Sequence, residues 1–173
     1  MILNKYNIIL ELLNFESLET LRSWRNSSSV AQFMEYQNEI SIEQQQLWFA
    51  NIVSNKEYHF IIKKDEIPIG MIHVNKIDFE LKSGEVGLFI GENKFLGTGI
   101  AFGASLNLLD FVFDELKLNT VFAKVNNANK NAVLYNTFIG FTEKNRLNKD
   151  FTIWELTRET YKKTKAKIEN CIL

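Results

Sequence analysis

Residues 84–103, GEVGLFIGENKFLGTGIAFG, run from an apolar stretch into a glycine-broken loop and directly out into a long amphipathic segment. A chain written this way is committed to a strand, a tight turn and a helix in immediate succession. Gly97, Gly99 and Gly103 let backbone N–H groups approach a ligand without a Cβ in the way. The helix that follows adds unpaired N–H groups and the positive end of its dipole, so the segment reads as a cradle for a phosphate or pyrophosphate. Two common phosphate loops are excluded. No Lys followed by Ser or Thr stands after the last glycine, and GTGIAFG misses the dinucleotide-binding spacing by one residue.

Composition sets the frame around this segment. With 173 residues, 46% hydrophobic content and one proline, the expectation is a single domain, residues 1–173, with a sizeable core. The 20 basic and 21 acidic residues nearly cancel, so no whole-chain field points to nucleic acid. The basic run at 162–167 reads as a solvated helix face. Cys171 is the sole cysteine and His59 and His73 the only histidines, which excludes an intramolecular disulfide and leaves no metal-ligand set. A reducing cytosol fits this cysteine usage. No apolar stretch approaches membrane-spanning length and no signal-peptide pattern opens the chain, so a soluble, unprocessed cytoplasmic protein is expected.

The pattern along the chain reads as a strand at 6–13, then a helix through LETLRSWRN capped by Asn14 or Ser17. A second helix starts at Ser41, where Ser41 and Gln44 form a capping box and Leu47, Trp48 and Ile52 supply an apolar face. Strands at 58–64 and 69–77 follow, joined by DEIPIG with Pro68 and Gly70 punctuating the turn, and then the strand at 84–90. The helix after the cradle carries Ala101, Leu106, Leu109 and Phe113 and ends near Leu118. A strand at 119–125, a short helix, strands near 141–146 and 151–157, and a helical tail at 158–168 complete the chain. This order predicts a mixed α/β architecture, a mixed sheet flanked by helices.

The spacing KFLGTG, from Lys94 to Gly99, entered from a strand and left through a helix, resembles the acyl-CoA pyrophosphate loop of the GNAT superfamily of N-acetyltransferases. Lys94 stands where the family has Gln or Arg. NKNAVLYNTFIGF, residues 129–141, resembles the late helix of the same superfamily, with Asn129, Ala132, Gly140 and Phe141 in register. The resemblance implies a mostly antiparallel sheet in which the strands at 84–90 and 119–125 are parallel and splay apart. It implies acetyl-CoA as cosubstrate, its pyrophosphate on Phe95, Leu96, Gly97, Thr98, Gly99 and Ile100, its pantetheine beside Leu88, Phe89 and Ile90, and Asn129 completing that site. Tyr135 stands one residue before the family's tyrosine slot, which Asn136 occupies. Either the helix is locally shifted and Tyr135 is the general acid, or another group is.

Amide formation needs an unprotonated amine and a protonated leaving thiolate, hence a base and an acid. Glu85, on the strand entering the cradle, is the leading base, acting through water, with Asp78 and His73 as alternatives. A backbone N–H near residues 88–90 is placed to polarise the thioester oxygen.

Residues 24–34, WRNSSSVAQFM, with the later EISIEQQQLWF, VGLFI and ELKLNTVFAKV, resemble the nucleotide-sugar N-acetyltransferases of pseudaminic acid synthesis, which serve flagellin modification. The resemblance implies a UDP-linked 4-amino-4,6-dideoxy sugar as acceptor, with Arg25 on a phosphate and Met34, Gln45 and Trp48 lining the uridine or sugar pocket. A protein N-terminal or ribosomal-protein acetyltransferase and a non-catalytic acyl-CoA-binding protein are the competing classes. UDP asks for positive charge near Arg25, whereas a basic amine or peptide terminus prefers carboxylates such as Glu35 and Glu39. A small-molecule partner is expected, without nucleic acid or membrane, and a homodimer stays open.

Overall fold

The computed structural model describes the backbone of residues 1–172 and the side chains of residues 1–170, so the side chain of Cys171 lies outside the described residues. Eight strands form one sheet: β1 (Ile2–Lys5), β2 (Ile8–Leu12), β3 (Tyr58–Lys64), β4 (Ile67–Asp78), β5 (Ser83–Ile90), β6 (Thr120–Asn126), β7 (Thr142–Arg146) and β8 (Phe151–Thr157), in the order β1-β2-β3-β4-β5-β6-β8-β7. Every neighbouring pair is antiparallel except β5 and β6. Among the described residues six helices accompany the sheet: α1 (Leu18–Asn26), α2 (Ser28–Ala31), α3 (Ile42–Ser54), α4 (Ile100–Asp110), α5 (Lys130–Ile139) and α6 (Arg158–Ile172).

Alternation along the strands sorts side chains onto two faces. On one, Ile72, Val74 and Val86 pack with Leu106 and Leu109 of α4, Ile139 of α5 and Ile168 of α6. On the other, Ile61, Met71 and Phe89 pack with Leu21 and Trp24 of α1 and Ile52 of α3. Helix α4 is buried all round from Gly103 to Asp110, which is why its sequence is apolar beyond a single stripe. Three polar residues travel with it into the core, Ser105, Asn107 and Asp110. The Asn107 amide donates to the Leu3 and Ile8 carbonyls at 3.1 Å, and the Asp110 carboxylate accepts from the Tyr161 hydroxyl at 2.6 Å.

Several expectations need correction. The first strand is a hairpin, because Tyr6 and Asn7 both take left-handed φ values of 56° and turn the chain between β1 and β2. The turn between β3 and β4 sits at Asp65 and Glu66, with φ of 49° and 62°, and not at Pro68 and Gly70, which lie inside β4. Pro68 is tolerated there because the register shifts beside its partner Lys63. Leu47 faces solvent at 67% exposure, leaving Trp48 and Ile52 to pack inward. After α4 the chain continues through a π-helical turn, Phe111–Glu115. The Ser41 and Gln44 capping box forms as read, and Asn14 rather than Ser17 makes the cap before α1, accepting from the Ser17 N–H at 3.0 Å.

Candidate active site

The ladder between β5 and β6 closes only at Ser83 with Thr120, Gly84 with Val121 and Glu85 with Phe122, although the strands run on to Ile90 and Asn126. Beyond Glu85 they diverge and leave a slot. On β5 the register with β4, continued by the Gly91 N–H bonded to the Ile69 carbonyl at 2.8 Å, turns the backbone groups of Phe89 and Gly87 toward β4. Leu88 and Ile90 therefore present N–H and C=O to the slot. Phe89 differs from its neighbours: its side chain joins the apolar cluster under α1, and its backbone belongs to the sheet.

The mouth of the slot is the cradle. A short 3₁₀ turn, Asn93–Phe95, leads to Gly97 at φ 74° and Gly99 at φ 81°, and α4 begins at Ile100. A Cβ added at either glycine would meet no atom within 4 Å, so the glycines answer to left-handed φ and to ligand approach, not to crowding. The Thr98 hydroxyl donates to the Phe95 carbonyl at 2.7 Å and holds the loop. Leu96 is exposed, and the ammonium of Lys94 lies 5.1 Å over the Phe95 ring. The first-turn N–H groups of Ile100 and Ala101 have no intrahelical acceptor and face this end of the helix. Trp24 anchors α1 here by lying against Gly91 and donating from Nε1 to Glu92 at 3.0 Å.

Helix α5 is regular from its Asn129 cap to the left-handed Gly140, with no local shift. The Asn129 side chain accepts from the Ala132 N–H at 3.0 Å, so its amide is engaged as a cap. The Tyr135 phenol donates to the Ala101 carbonyl at 2.9 Å and pairs with the Ser105 hydroxyl at 2.5 Å, while its ring stacks 4.8 Å from Phe102. Burial pushes this phenol far above its ordinary value, and the hydrogen bond from Ser105 only partly offsets it. Asn136, one position and about 100° further round the helix, is buried and donates to the Ala132 carbonyl at 2.8 Å.

The opposite face of the slot carries polar groups. Reading across the strands, His59 lies beside His73, His73 beside Gly87, and Asn75 beside Glu85. The Glu85 carboxylate accepts from Lys76 at 2.8 Å. Asp78 accepts from the N–H groups of Glu80 and Leu81 at 2.9 and 2.8 Å and so builds the β4–β5 turn. Arg25 of α1 has a buried Nε without a hydrogen-bond partner among the described residues. Burial holds its guanidinium below the usual arginine value, and among the described residues no carboxylate stands near enough to compensate. Gln45 of α3 is 5% exposed with Nε2 likewise unpartnered, Trp48 meets His59 edge-on at 5.1 Å, and Met34 packs against the same cluster. Glu35, after α2, pairs with Lys124 of β6 at 2.6 Å, carrying the 32–40 segment across β6. Sequence reasoning had no signal for this pair, or for Ser105 and Gly87, because each matters only through register or packing.

Among the described residues no group of three or more His, Cys, Asp or Glu is placed to hold a metal ion, and no helix is long and apolar enough to cross a membrane.

A sheet that parts between two parallel strands, with an anion cradle at the slot's mouth and hydrogen-bonding groups on its floor, defines an acyl-transferring enzyme of the acetyltransferase type. The acetyltransferase (GNAT) domain family matches residues 7–142, and this chain belongs to that family and is an N-acetyltransferase. It is 31% identical over 123 residues to Acetyltransferase PseH of Campylobacter jejuni, covering 70% of this chain and 74% of that protein. In fold it is similar to spermidine N-acetyltransferase from Vibrio cholerae, solved with CoA and spermine, at TM-score 0.81 and 20% identity over 90% of this chain and 98% of that one. It is similar also to Mycobacterium smegmatis RimJ in complex with CoA-disulfide, at TM-score 0.82 and 16% identity over 99% and 92% of the two chains.

Proposed function

We propose that this protein transfers the acetyl group of acetyl-CoA to the amino group of a nucleotide-linked amino sugar, the 4-amino group of a UDP-linked 4-amino-4,6-dideoxy sugar. The observation that carries the reading is Arg25, a guanidinium with a buried, unpartnered nitrogen and, among the described residues, no nearby carboxylate. Arg25 is half-buried with only its Nε shut off from solvent, and a ligand phosphate would give this guanidinium a counter-charge with strong, charge-assisted hydrogen bonds. The similarity to Acetyltransferase PseH and the resemblance of residues 24–34 to the pseudaminic acid branch support the same acceptor class. Met34 and Trp48 pack half-buried against the cluster under α1, and Gln45 is buried in the crevice that Leu18, Arg22 and Ile42 line; in this proposal their polar and aromatic groups meet the sugar or uridine.

Acetyl-CoA brings the acetyl group as an activated thioester. The backbone of residues 95–100 fits its pyrophosphate, Leu88 and Ile90 offer the slot-facing amides that a pantetheine arm pairs with, and the Leu88 N–H is the oxyanion donor. Glu85 closes the parallel ladder three residues below Leu88, about 10 Å along the strand, so it takes the amine's proton through water; the amine nitrogen forms the amide bond as the thioester C–S bond breaks, and the departing CoA thiolate takes its proton from solvent. Tyr135 acts as a clamp between α5 and α4, because its proton already serves the Ala101 carbonyl. A general acid or base is worth about 10²–10⁴-fold in rate. Glu85→Gln is therefore expected to lose about 10²-fold in kcat, while Tyr135→Phe keeps kcat within about threefold and melts a few degrees earlier. A hundredfold loss of kcat in Tyr135→Phe would restore it as the proton donor.

The acceptor is tested by assaying free CoA release with UDP-4-amino, UDP-3-amino and dTDP-amino sugars, spermidine and N-terminal peptides. The UDP-4-amino sugar is expected to lead. Arg25→Ala is expected to raise its KM by about 30-fold or more, the scale of a lost charge-assisted contact, with KM for acetyl-CoA unchanged. Turnover of peptides or spermidine with no nucleotide sugar accepted sinks the acceptor assignment and leaves the acetyltransferase standing.

A further inference from the structure

We propose that His73 is a specificity-determining residue of the acceptor site, holding a hydroxyl or amino group of a hydroxylated amine against β5 beside the point of transfer. The inference rests on the proposed acceptor occupying the face described above and on its being a hydroxylated amine, whichever one it is. His73 stands opposite Gly87, the residue before Leu88. A Cβ at position 87 would lie 2.7 Å from His73 Cε1 and 3.2 Å from Nε2, so the imidazole edge covers the glycine and fills the room that a side chain there would take. That edge lies one residue along the strand from the proposed oxyanion donor. Glu85, by contrast, is three residues away.

The ring is held from behind. His59 stacks on it at 5.0 Å with 18° between the planes, Glu57 grips His59 at 2.9 Å, and Trp48 closes the stack edge-on. A ring fixed on this side cannot swing away when a ligand arrives, which is what positioning requires. Its Nδ1 is buried and has no partner among the described residues, and buried polar atoms of this kind are normally hydrogen-bonded.

The charge state decides what such a ring can recognise. Burial first, then His59, Arg25 and Lys76, push the imidazole down to about 3, so it is neutral throughout the working range. A neutral imidazole offers one donor and one acceptor, the complement of a hydroxyl or an uncharged amine. It supplies no counter-charge to an ammonium, and Arg25 on the same face repels one. The same surroundings that keep His73 unprotonated favour binding the acceptor as the free amine that the chemistry needs. A site built in this way selects hydroxylated amines over polyamines.

The test is steady-state kinetics of His73→Ala with the UDP-linked 4-amino sugar, beside thermal shift with acetyl-CoA as the check on folding. KM for the sugar nucleotide is expected to rise about tenfold or more while KM for acetyl-CoA stays put. His73→Gln, which keeps a donor and an acceptor, recovers most of the loss, and the acid limb of the kcat profile does not move. Gly87→Ala, which leaves the imidazole intact and displaces it, carries the same expectation and stands in if His73→Ala does not fold. The chain has two histidines, so imidazole NMR shows two Cε1 signals, and the one that His73→Gln removes is expected to shift on adding the sugar nucleotide. An unmoved acceptor KM in a folded variant overturns the role of His73 and leaves the sugar assignment intact. A collapse of kcat with loss of the acid limb also overturns it, making His73 the base. If the wild type turns over spermidine instead, the sugar assignment and this role of His73 fall together; if it turns over a hydroxylated amine other than the sugar nucleotide, only the sugar assignment falls, and the same KM comparison with that amine decides His73.

Discussion

Gly97→Val is expected to abolish acetyl-CoA binding while leaving the fold in place. Acetyl-CoA at about 100 times its Kd stabilises a protein by about 2.7 kcal/mol, which for a chain of this size is a rise in Tm of about 5–10 °C. The variant is expected to show no rise. Two effects act together. The loop holds Gly97 at φ 74°, a conformation that a β-branched residue strongly resists. An added side chain would also occupy open space, since no protein atom lies within 4 Å of the position a Cβ would take, and that space is where the pyrophosphate approaches the N–H groups of the loop. The absence of protein neighbours is what makes the prediction specific, because no packing is lost. Differential scanning fluorimetry with and without acetyl-CoA, backed by calorimetry, measures it. A variant stabilised as much as the wild type would place the pyrophosphate elsewhere.

Asp110→Ala is expected to destabilise the fold by about 3 kcal/mol, or about 6–12 °C in Tm. Asp110 is nearly inaccessible on α4, with its side chain 4% exposed, and it accepts hydrogen bonds from Tyr161 at 2.6 Å, Lys165 at 2.7 Å and Tyr6 at 2.7 Å. One carboxylate thus joins the N-terminal hairpin, α4 and α6. Removing it leaves two phenols and an ammonium facing a cavity, and an abandoned charge costs more than the pair was worth. The pH dependence follows from the direction of its shift. Burial raises this carboxyl, but the hydrogen bonds from Lys165, Tyr161 and Tyr6 outweigh burial and hold it below the usual carboxylate range. Its contribution is therefore complete above about pH 4, the unfolded value, and is lost as pH falls through the lower folded value. Thermal melts from neutral pH downward are expected to show a steeper acid fall for the wild type than for Asp110→Asn. Parallel acid limbs, or a Tm change below about 2 °C in Asp110→Ala, would contradict the network's importance.

The cradle, the caps and the strand–helix order were legible in the chain because each is decided within a few residues. Left-handed φ selects glycine at 97 and 99, a Ser and a Gln three apart satisfy each other at Ser41 and Gln44, and an apolar stripe announces a helix whatever lies beyond it. The KFLGTG and NKNAVLYNTFIGF spacings carried the family for the same reason, as their geometry is local. Even local reading failed where two signals competed. Pro68 and Gly70 marked a turn that Asp65 and Glu66 make, because a register shift beside Pro68 lets the strand run through it.

Other properties arise only when distant segments meet. Whether Tyr135 or Asn136 faces α4 depends on how α5 docks, and the tertiary structure gives that place to Tyr135, through Ala101 and Ser105. His73 and Gly87 are unrelated in the chain until antiparallel register sets them side by side, since a slip of one residue would turn each to the other face. Arg25 stands out in the sequence only through the resemblance of residues 24–34, since its spacing alone marks one more cation on a helix. What the tertiary structure adds is a half-buried guanidinium whose buried Nε has no partner among the described residues, a property of packing that no spacing of residues along a chain encodes.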